Sequence, residues 1–161
     1  MLKTNNTLTV LDLSKNEIGA WTSEGTGHTD WKGNHSDELK QTPEGPAALA
    51  DGLKANSTVQ QLHAKSNSLR AAGAKAISEM LRTNKTLTMV DLSDNEIGAY
   101  SKDNDGQAPW LPTPDGPAAL AYGLKANSTV QQLDASANGL DQASKDRLTK
   151  AKPPQLATLK L

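Results

Sequence analysis

Two groups of residues in this chain could take part in binding or catalysis. The first is aromatic and includes every tryptophan of the chain: Trp21, Trp31, Tyr100 and Trp110. The second combines carboxylates with an imidazole: Asp12, His63, Asp91 and Asp134. Large aromatic side chains anchor protein partners or stack on sugar rings. Carboxylates beside an imidazole form ion pairs or bind a divalent cation.

A repeated pattern predicts the elements that hold the second group. The frame L-x-x-L-x-L-x-x-N-x-L begins at four positions: Leu8, Val59, Leu87 and Val130. A fifth, incomplete copy begins at Leu156. Leucines at this spacing point inward from a short strand, and the residues between them face outward. If the strands are parallel, the acids and His63 form one column that ends at Lys160, with neighbours about 4.8 Å apart.

Three interpretations of this column remain open. It is a solvated ladder of charges, or it is part of a surface on which a partner docks. The third interpretation is a divalent cation held by Asp12, His63 and Asp91, since carboxylates and imidazole are suitable ligands.

Helices are predicted between the strands, at 42–56, at 71–84 and from about Asp141 to the prolines that begin at Pro153. Thr42 is expected to cap the first of these helices, and Pro43 suits its first turn because the missing N–H costs nothing there. Leucines four residues apart place one face of each helix against the strands.

Two insertions, at about 20–41 and 99–112, lengthen the first and third repeats. Both are rich in Gly, Asp, Asn, Ser and Thr, which predicts loops. Both insertions begin after the same end of their predicted strands, and together they contain the whole aromatic group. The chain has no phenylalanine, so its core is aliphatic and does not require aromatics in the insertions. We therefore expect a binding surface there, the alternative being that each ring covers apolar surface near its own strand.

The second half of the chain copies the first. Segments 42–62 and 113–133 are the same except at two pairs of positions: Glu44/Asp115 and Asp51/Tyr122. The similarity indicates that a two-repeat unit was duplicated as a whole.

The strand pattern "NNTLTVLDLSKNEIG" and the helix pattern "GPAALADGLKAN" together resemble the leucine-rich repeat of the ribonuclease-inhibitor-like subtype. The resemblance covers nearly the whole chain. It implies an α/β fold: a right-handed α/β solenoid, a short horseshoe with a parallel β-sheet on its concave face and helices on its convex face. Residues 1–161 would form one domain of four repeats plus a fifth strand. Ribonuclease inhibitor, Ran GTPase-activating proteins and NOD-like receptors carry such repeats and use them to hold other proteins.

Composition excludes several other functions. The chain has no cysteine, which rules out disulfides and thiol chemistry, and its formal net charge of −1 does not favour nucleic acid or anionic membranes. We find no nucleophile–base pair on a predicted rigid element and no phosphate-binding glycine loop. The sequence therefore predicts a cytoplasmic, non-catalytic module without cofactor or metal that binds a protein partner of unknown identity. The alternatives are glycan or small-ligand binding by the tryptophans, or a regulatory fragment of a sensor or GTPase-activating protein.

The start of the chain raises one further expectation. Met1 and Leu2 correspond to Met80 and Leu81, which lie in the last part of the helix predicted before the third repeat, so the first predicted strand has no helix before it. An uncovered strand offers unpaired backbone groups and the side of an aliphatic core. We therefore expect either a fragment of a longer array or self-association through the uncovered terminal strands.

Overall fold

The computed structural model describes residues 2–19, 21–23, 39–41, 43–100 and 109–161. Its main sheet has five short parallel strands, one per repeat, which lie side by side in this order: β1 Val10–Asp12, β4 Gln61–His63, β5 Met89–Asp91, β8 Gln132–Asp134 and β9 Thr158–Lys160. The parallel α/β fold predicted from the repeat is confirmed.

Four helices return the chain from one strand to the next: α1 Glu44–Ala55, α2 Arg70–Thr83, α3 Asp115–Ala126 and α4 Gln142–Ala151. Consecutive helices pack side by side along the other face of the sheet. Asp141 caps α4, because its carboxylate accepts a hydrogen bond from the backbone N–H of Ser144 at 2.8 Å. None of the helices in the described part of the chain is long and apolar enough to cross a membrane.

The start of α1 differs from the expectation. Pro43 occupies the N-cap position without a side-chain hydrogen bond, and Thr42 lies outside the described residues. The equivalent residue before α3, Thr113, donates its hydroxyl to the carbonyl of Ile97 at 2.8 Å. The Thr113 hydroxyl therefore binds the turn that follows β5 and does not cap α3.

The core between sheet and helices is aliphatic. Leu62, Val90 and Leu133 on the middle strands are fully covered, whereas Leu11 on β1 and Leu159 on β9 are only partly buried. The difference arises because β1 and β9 lie at the edges of this sheet and have a strand on one side only. Self-association through these edges stays a prediction.

A ladder of asparagines connects the turns that follow the strands. The Asn95 amide donates to the carbonyls of Ala64, Leu92 and Ser93 at 2.9–3.0 Å, and its oxygen accepts from the backbone N–H of Asn67 at 2.9 Å. Asn67 and Asn138 make the same kinds of bond one repeat away on either side. The buried amides satisfy backbone groups that have no strand partner, and they hold the repeats at a constant spacing.

The ends of both insertions form short antiparallel strand pairs. In the first, β2 (Trp21–Ser23) pairs with β3 (Leu39–Gln41), and in the second, β6 (Ala99–Tyr100) pairs with β7 (Leu111–Pro112). The prediction that the insertions are loops is therefore wrong at their bases. The paired strands satisfy each other's backbone N–H and C=O groups, and a composition typical of turns does not predict such pairing.

Candidate functional site

The first candidate surface is the face of the main sheet that points away from the helices, which we call the concave face. The strands pair without a shift, so that Asp12 lies beside His63, His63 beside Asp91, and Asp91 beside Asp134. Lys160 ends the column, and its ammonium lies 3.1 Å from the Asp134 carboxylate. Parallel pairing thus brings together side chains that are far apart in the sequence.

The aspartates of the column are held by serines two residues further on. Asp91 accepts hydrogen bonds from the backbone N–H of Ser93 at 2.9 Å and from its hydroxyl at 2.7 Å. Asp134 accepts the same two bonds from Ser136, at 3.0 and 2.6 Å. Each carboxylate therefore supports the turn at the end of its strand, besides contributing negative charge to the face.

The hydrogen bonds also affect ionisation. The backbone N–H of Ser14, then its hydroxyl, hydrogen-bond to Asp12 and lower the pKa of this carboxyl below its usual value. Burial acts to raise the pKa of Asp134, but the bonds from Ser136 and the charge of Lys160 outweigh it and the net shift is downward. Both side chains stay negatively charged into acidic solution.

A shallow depression of about 170 Å³ lies over β4, β5, β8 and β9. Met89 is the apolar side chain that faces it, because Val90 and Leu133 turn their side chains into the core on the other side of the sheet and line the depression through their backbone. Its rim carries the polar and titratable side chains of His63, Asp91, Asp134 and Lys160. Gln132 and Thr158 complete the lining on the side of the last strand. The sequence analysis identified the charged column but did not single out Met89 and Gln132. These residues lie on the same face of the sheet, two positions before Asp91 and Asp134 on their strands.

The column shows no arrangement suited to a metal ion. Across the described ranges, no three histidine, aspartate or glutamate side chains are grouped so that they could hold a cation. The carboxylates of Asp91 and Asp134 accept hydrogen bonds from the serines of their own turns, so they are not directed towards a common point between the strands. Nothing in this geometry favours the cation interpretation of Asp12, His63 and Asp91.

The second candidate surface is formed by the bases of the insertions. Trp110 directly precedes β7, and its side chain is 57% exposed. Trp21 lies in β2 opposite Gln41, but its side chain is outside the description, as is the whole of Trp31. The second hairpin is fastened near the sheet, because the N–H of Thr113 bonds to the carbonyl of Gly98 and Gly98 in turn bonds to Asn138.

Tyr100 is supported by a residue that sequence reasoning missed. The guanidinium of Arg70, at the start of α2, lies 4.8 Å from the centre of the Tyr100 ring. Its Nε donates to the Glu96 carboxylate at 2.7 Å, and the side chain is almost completely buried. A cation covering one face of the ring fixes its position. Tyr100 therefore packs against the repeat as well as being available, in part, to a partner. The one sequence feature that could have indicated this contact is an arginine directly before the helix predicted at 71–84.

Similar proteins agree with this architecture. The model of the Leucine Rich repeat family matches residues 4–20 and 83–99. Leucine-rich repeat-containing protein 45 from Gallus gallus is 32% identical over 108 residues, which are 67% of this chain. The chain spans 14% of the length of that relative.

Among solved structures, leiomodin-1 actin-binding site 2 has a similar fold, with a TM-score of 0.65 at 19% sequence identity. The similarity covers 99% of this chain and 73% of the other, and it concerns the fold alone. The family match, the relative and the five-stranded parallel sheet with its helices together support the identification of this chain as a leucine-rich-repeat protein.

Proposed function

We propose that this chain is a non-catalytic module that binds a protein partner through its concave face and the exposed base of the second insertion. The repeats support protein binding in general. The observation that carries the specific proposal is the depression over four strands, in which Met89 lies among polar and charged side chains from different repeats. Methionine is enriched in protein interfaces, and the rims of such interfaces are polar.

The proposal assigns different roles to the residues of the site. Met89 and Gln132 would contact the partner directly, because they lie in the depression without supporting a turn. Lys160 would place a positive charge at its rim, and His63 would offer an imidazole ring to the partner. Trp110 would supply an aromatic anchor beside it, since central aromatic contacts commonly carry much of the binding energy of an interface. Trp21, Trp31 and Tyr100 would extend this contact.

Site-directed photocrosslinking tests the proposal. A benzoylphenylalanine residue is introduced at Gln132, at Trp110 or, as a control on the helix face, at Lys54, and each variant is irradiated in the extract of its source cells. The proposal predicts the same crosslinked protein from Gln132 and from Trp110, and its absence from Lys54.

Binding measurements with the crosslinked protein then complete the test. The pair of changes Met89→Ala and Gln132→Ala is expected to weaken its affinity about tenfold or more, while circular dichroism shows an unchanged fold. The change Lys54→Ala serves as the control and should leave affinity within about twofold. Equal affinities in all variants, or equal crosslinking from all three positions, contradict the concave face as the binding surface.

A further inference from the structure

The helix face has a groove whose charge differs from that of the rest of the molecule. It lies between α3 and α4 and has a volume of about 260 Å³. Six residues line it: Ala121, Tyr122, Lys125, Arg147, Lys150 and Ala151. Three of these are cationic and none is acidic, although the chain as a whole has a formal net charge of −1.

The three cations are available to a ligand. Lys125, Arg147 and Lys150 are all exposed, and none forms an ion pair with another side chain in the described part of the chain. Asp146, also on α4, is hydrogen-bonded to the Gln142 amide at 2.9 Å and does not line the groove. Positive charge therefore lines both sides of the groove, with Lys125 on α3 and Arg147 and Lys150 on α4, and no carboxylate lies in its lining. Asp141, which caps α4 outside the groove, offsets part of the charge of Arg147, since hydrogen bonds from the first turn of α4 and then this guanidinium lower its pKa.

Tyr122 adds an apolar surface beside these charges. Its side chain is 56% exposed, which makes it one of the few large apolar groups that the described surface presents. The Arg82 guanidinium lies 4.8 Å from the centre of the ring and holds it from the side of α2. Arg82 itself is paired with Glu79 at 2.9 Å, so it serves mainly to position the ring.

The duplicated half of the chain provides an internal comparison. The corresponding groove between α1 and α2 is lined by two acidic and two basic residues, and Asp51 and Lys54 form an ion pair of 3.1 Å within it. Asp51 stands at the position of Tyr122, and Glu79 at the position of Lys150. The positive groove is therefore not a consequence of the repeat architecture, because the same architecture carries a neutral groove one unit earlier.

We propose that the groove between α3 and α4 is a second binding surface, which takes an acidic segment of a partner protein. The cations would pair with its carboxylates, and an apolar side chain of the segment would lie against the Tyr122 ring. Charge complementarity of this kind favours a polyanionic ligand. Nucleic acid and membranes fit less well, because their binding depends on many cations over an extended surface and this groove offers three.

The test uses the whole chain and a fluorescein-labelled peptide of glutamates with one central leucine. Fluorescence anisotropy should show binding that weakens as salt is added. Combining Lys125→Glu, Arg147→Glu and Lys150→Glu is expected to weaken binding about tenfold or more. The matched control combines Lys54→Glu and Lys75→Glu in the neutral groove and should change the affinity less than about twofold.

Two further variants test the contribution of Tyr122. Tyr122→Asp, which restores the residue found in the first half of the chain, should weaken peptide binding. Tyr122→Phe should retain it, since the aromatic face is kept. All these positions are exposed, and circular dichroism would confirm that the variants fold.

Several results would overturn the proposal. These are the absence of peptide binding to the unchanged chain, equal losses from the two sets of charge reversals, and unchanged affinity after Tyr122→Asp. Tighter binding of single-stranded DNA, or of vesicles rich in phosphatidylserine, than of the peptide would reject an acidic protein segment as the ligand. None of these outcomes depends on the concave face.

Discussion

Replacing Asn95 by alanine should destabilise this protein much more than the same change at Asn16, the exposed member of the asparagine ladder. Asn95 is completely buried, and its side chain makes hydrogen bonds to the turns of two successive repeats. Asn16 holds the same place in the first repeat but is exposed, and its side-chain amide donates to the carbonyl of Ser14 at 3.1 Å without reaching another repeat in the described part of the chain. The two positions therefore share a role in the sequence and differ in burial.

The expected magnitude follows from the groups that each change leaves behind. Without Asn95 the carbonyl of Ala64 keeps a bond from Asn67, and that of Leu92 keeps one from Asn138. The backbone N–H of Asn67 loses its acceptor inside the core, which costs about 1–3 kcal/mol. The other lost bonds add about 0.5–1.5 kcal/mol each, so we expect a total of at least about 3 kcal/mol. Water replaces the bond of Asn16, and its removal should cost less than about 1 kcal/mol.

Urea unfolding followed by circular dichroism measures the difference. A loss of about 3 kcal/mol would lower the midpoint by about 1.5 M if the slope is about 2 kcal/mol/M. Asn16→Ala should move the midpoint by much less, and the slope should be the same for both variants. A cost for Asn95→Ala below about 1 kcal/mol, or equal to that of Asn16→Ala, would refute the view that the buried amides hold the repeats together.

Two other predictions concern packing and acid stability. Gly123→Ala should destabilise the fold by about 1–3 kcal/mol, because the new methyl would lie 2.7 Å from the backbone of Ser78. The equivalent change Gly52→Ala meets only a movable Leu2 side chain and should be neutral or slightly stabilising. Similar unfolding midpoints for the two variants would contradict this account. The pKa of Asp134 is lowered in the folded state, so its contribution to stability is complete above the unfolded pKa of about 3.9 and is lost as the pH falls through the folded value. Asp134→Asn should therefore give a flatter dependence of unfolding free energy on pH between about 5 and 2, and identical slopes for variant and unchanged chain would count against it.

Much of this molecule could be predicted from its repeat. The spacing of the leucines placed every strand of the main sheet, since a side chain two residues further along a strand must return to the same face. The helices followed from the return path that parallel strands require, and their apolar positions agree with the observed core. The charged column on the concave face was predictable for the same reason, because it depends only on pairing without a shift.

Other features depended on contacts between segments that the repeat does not relate. Antiparallel pairing at the insertion bases was not predicted, since Gly and Asp are typical of turns wherever a turn occurs, and they do not indicate which backbone segments meet. The contact between Arg70 and Tyr100 was missed because it joins a helix start to an insertion.

The repeat, the parallel sheet, its register and the identity of the outward-facing residues all follow from local periodicity, so they could be predicted from the amino-acid sequence. The grouping of outward side chains in a depression or a groove, and the pairing of their charges, depends on how the repeats pack against one another. Arg70 pairs with Glu96 of the next repeat, while the cations beside Tyr122 have no ion pair across repeats in the described part of the chain. Such differences arise from the distances between side chains on adjacent repeats, and no pattern within a single repeat contains those distances.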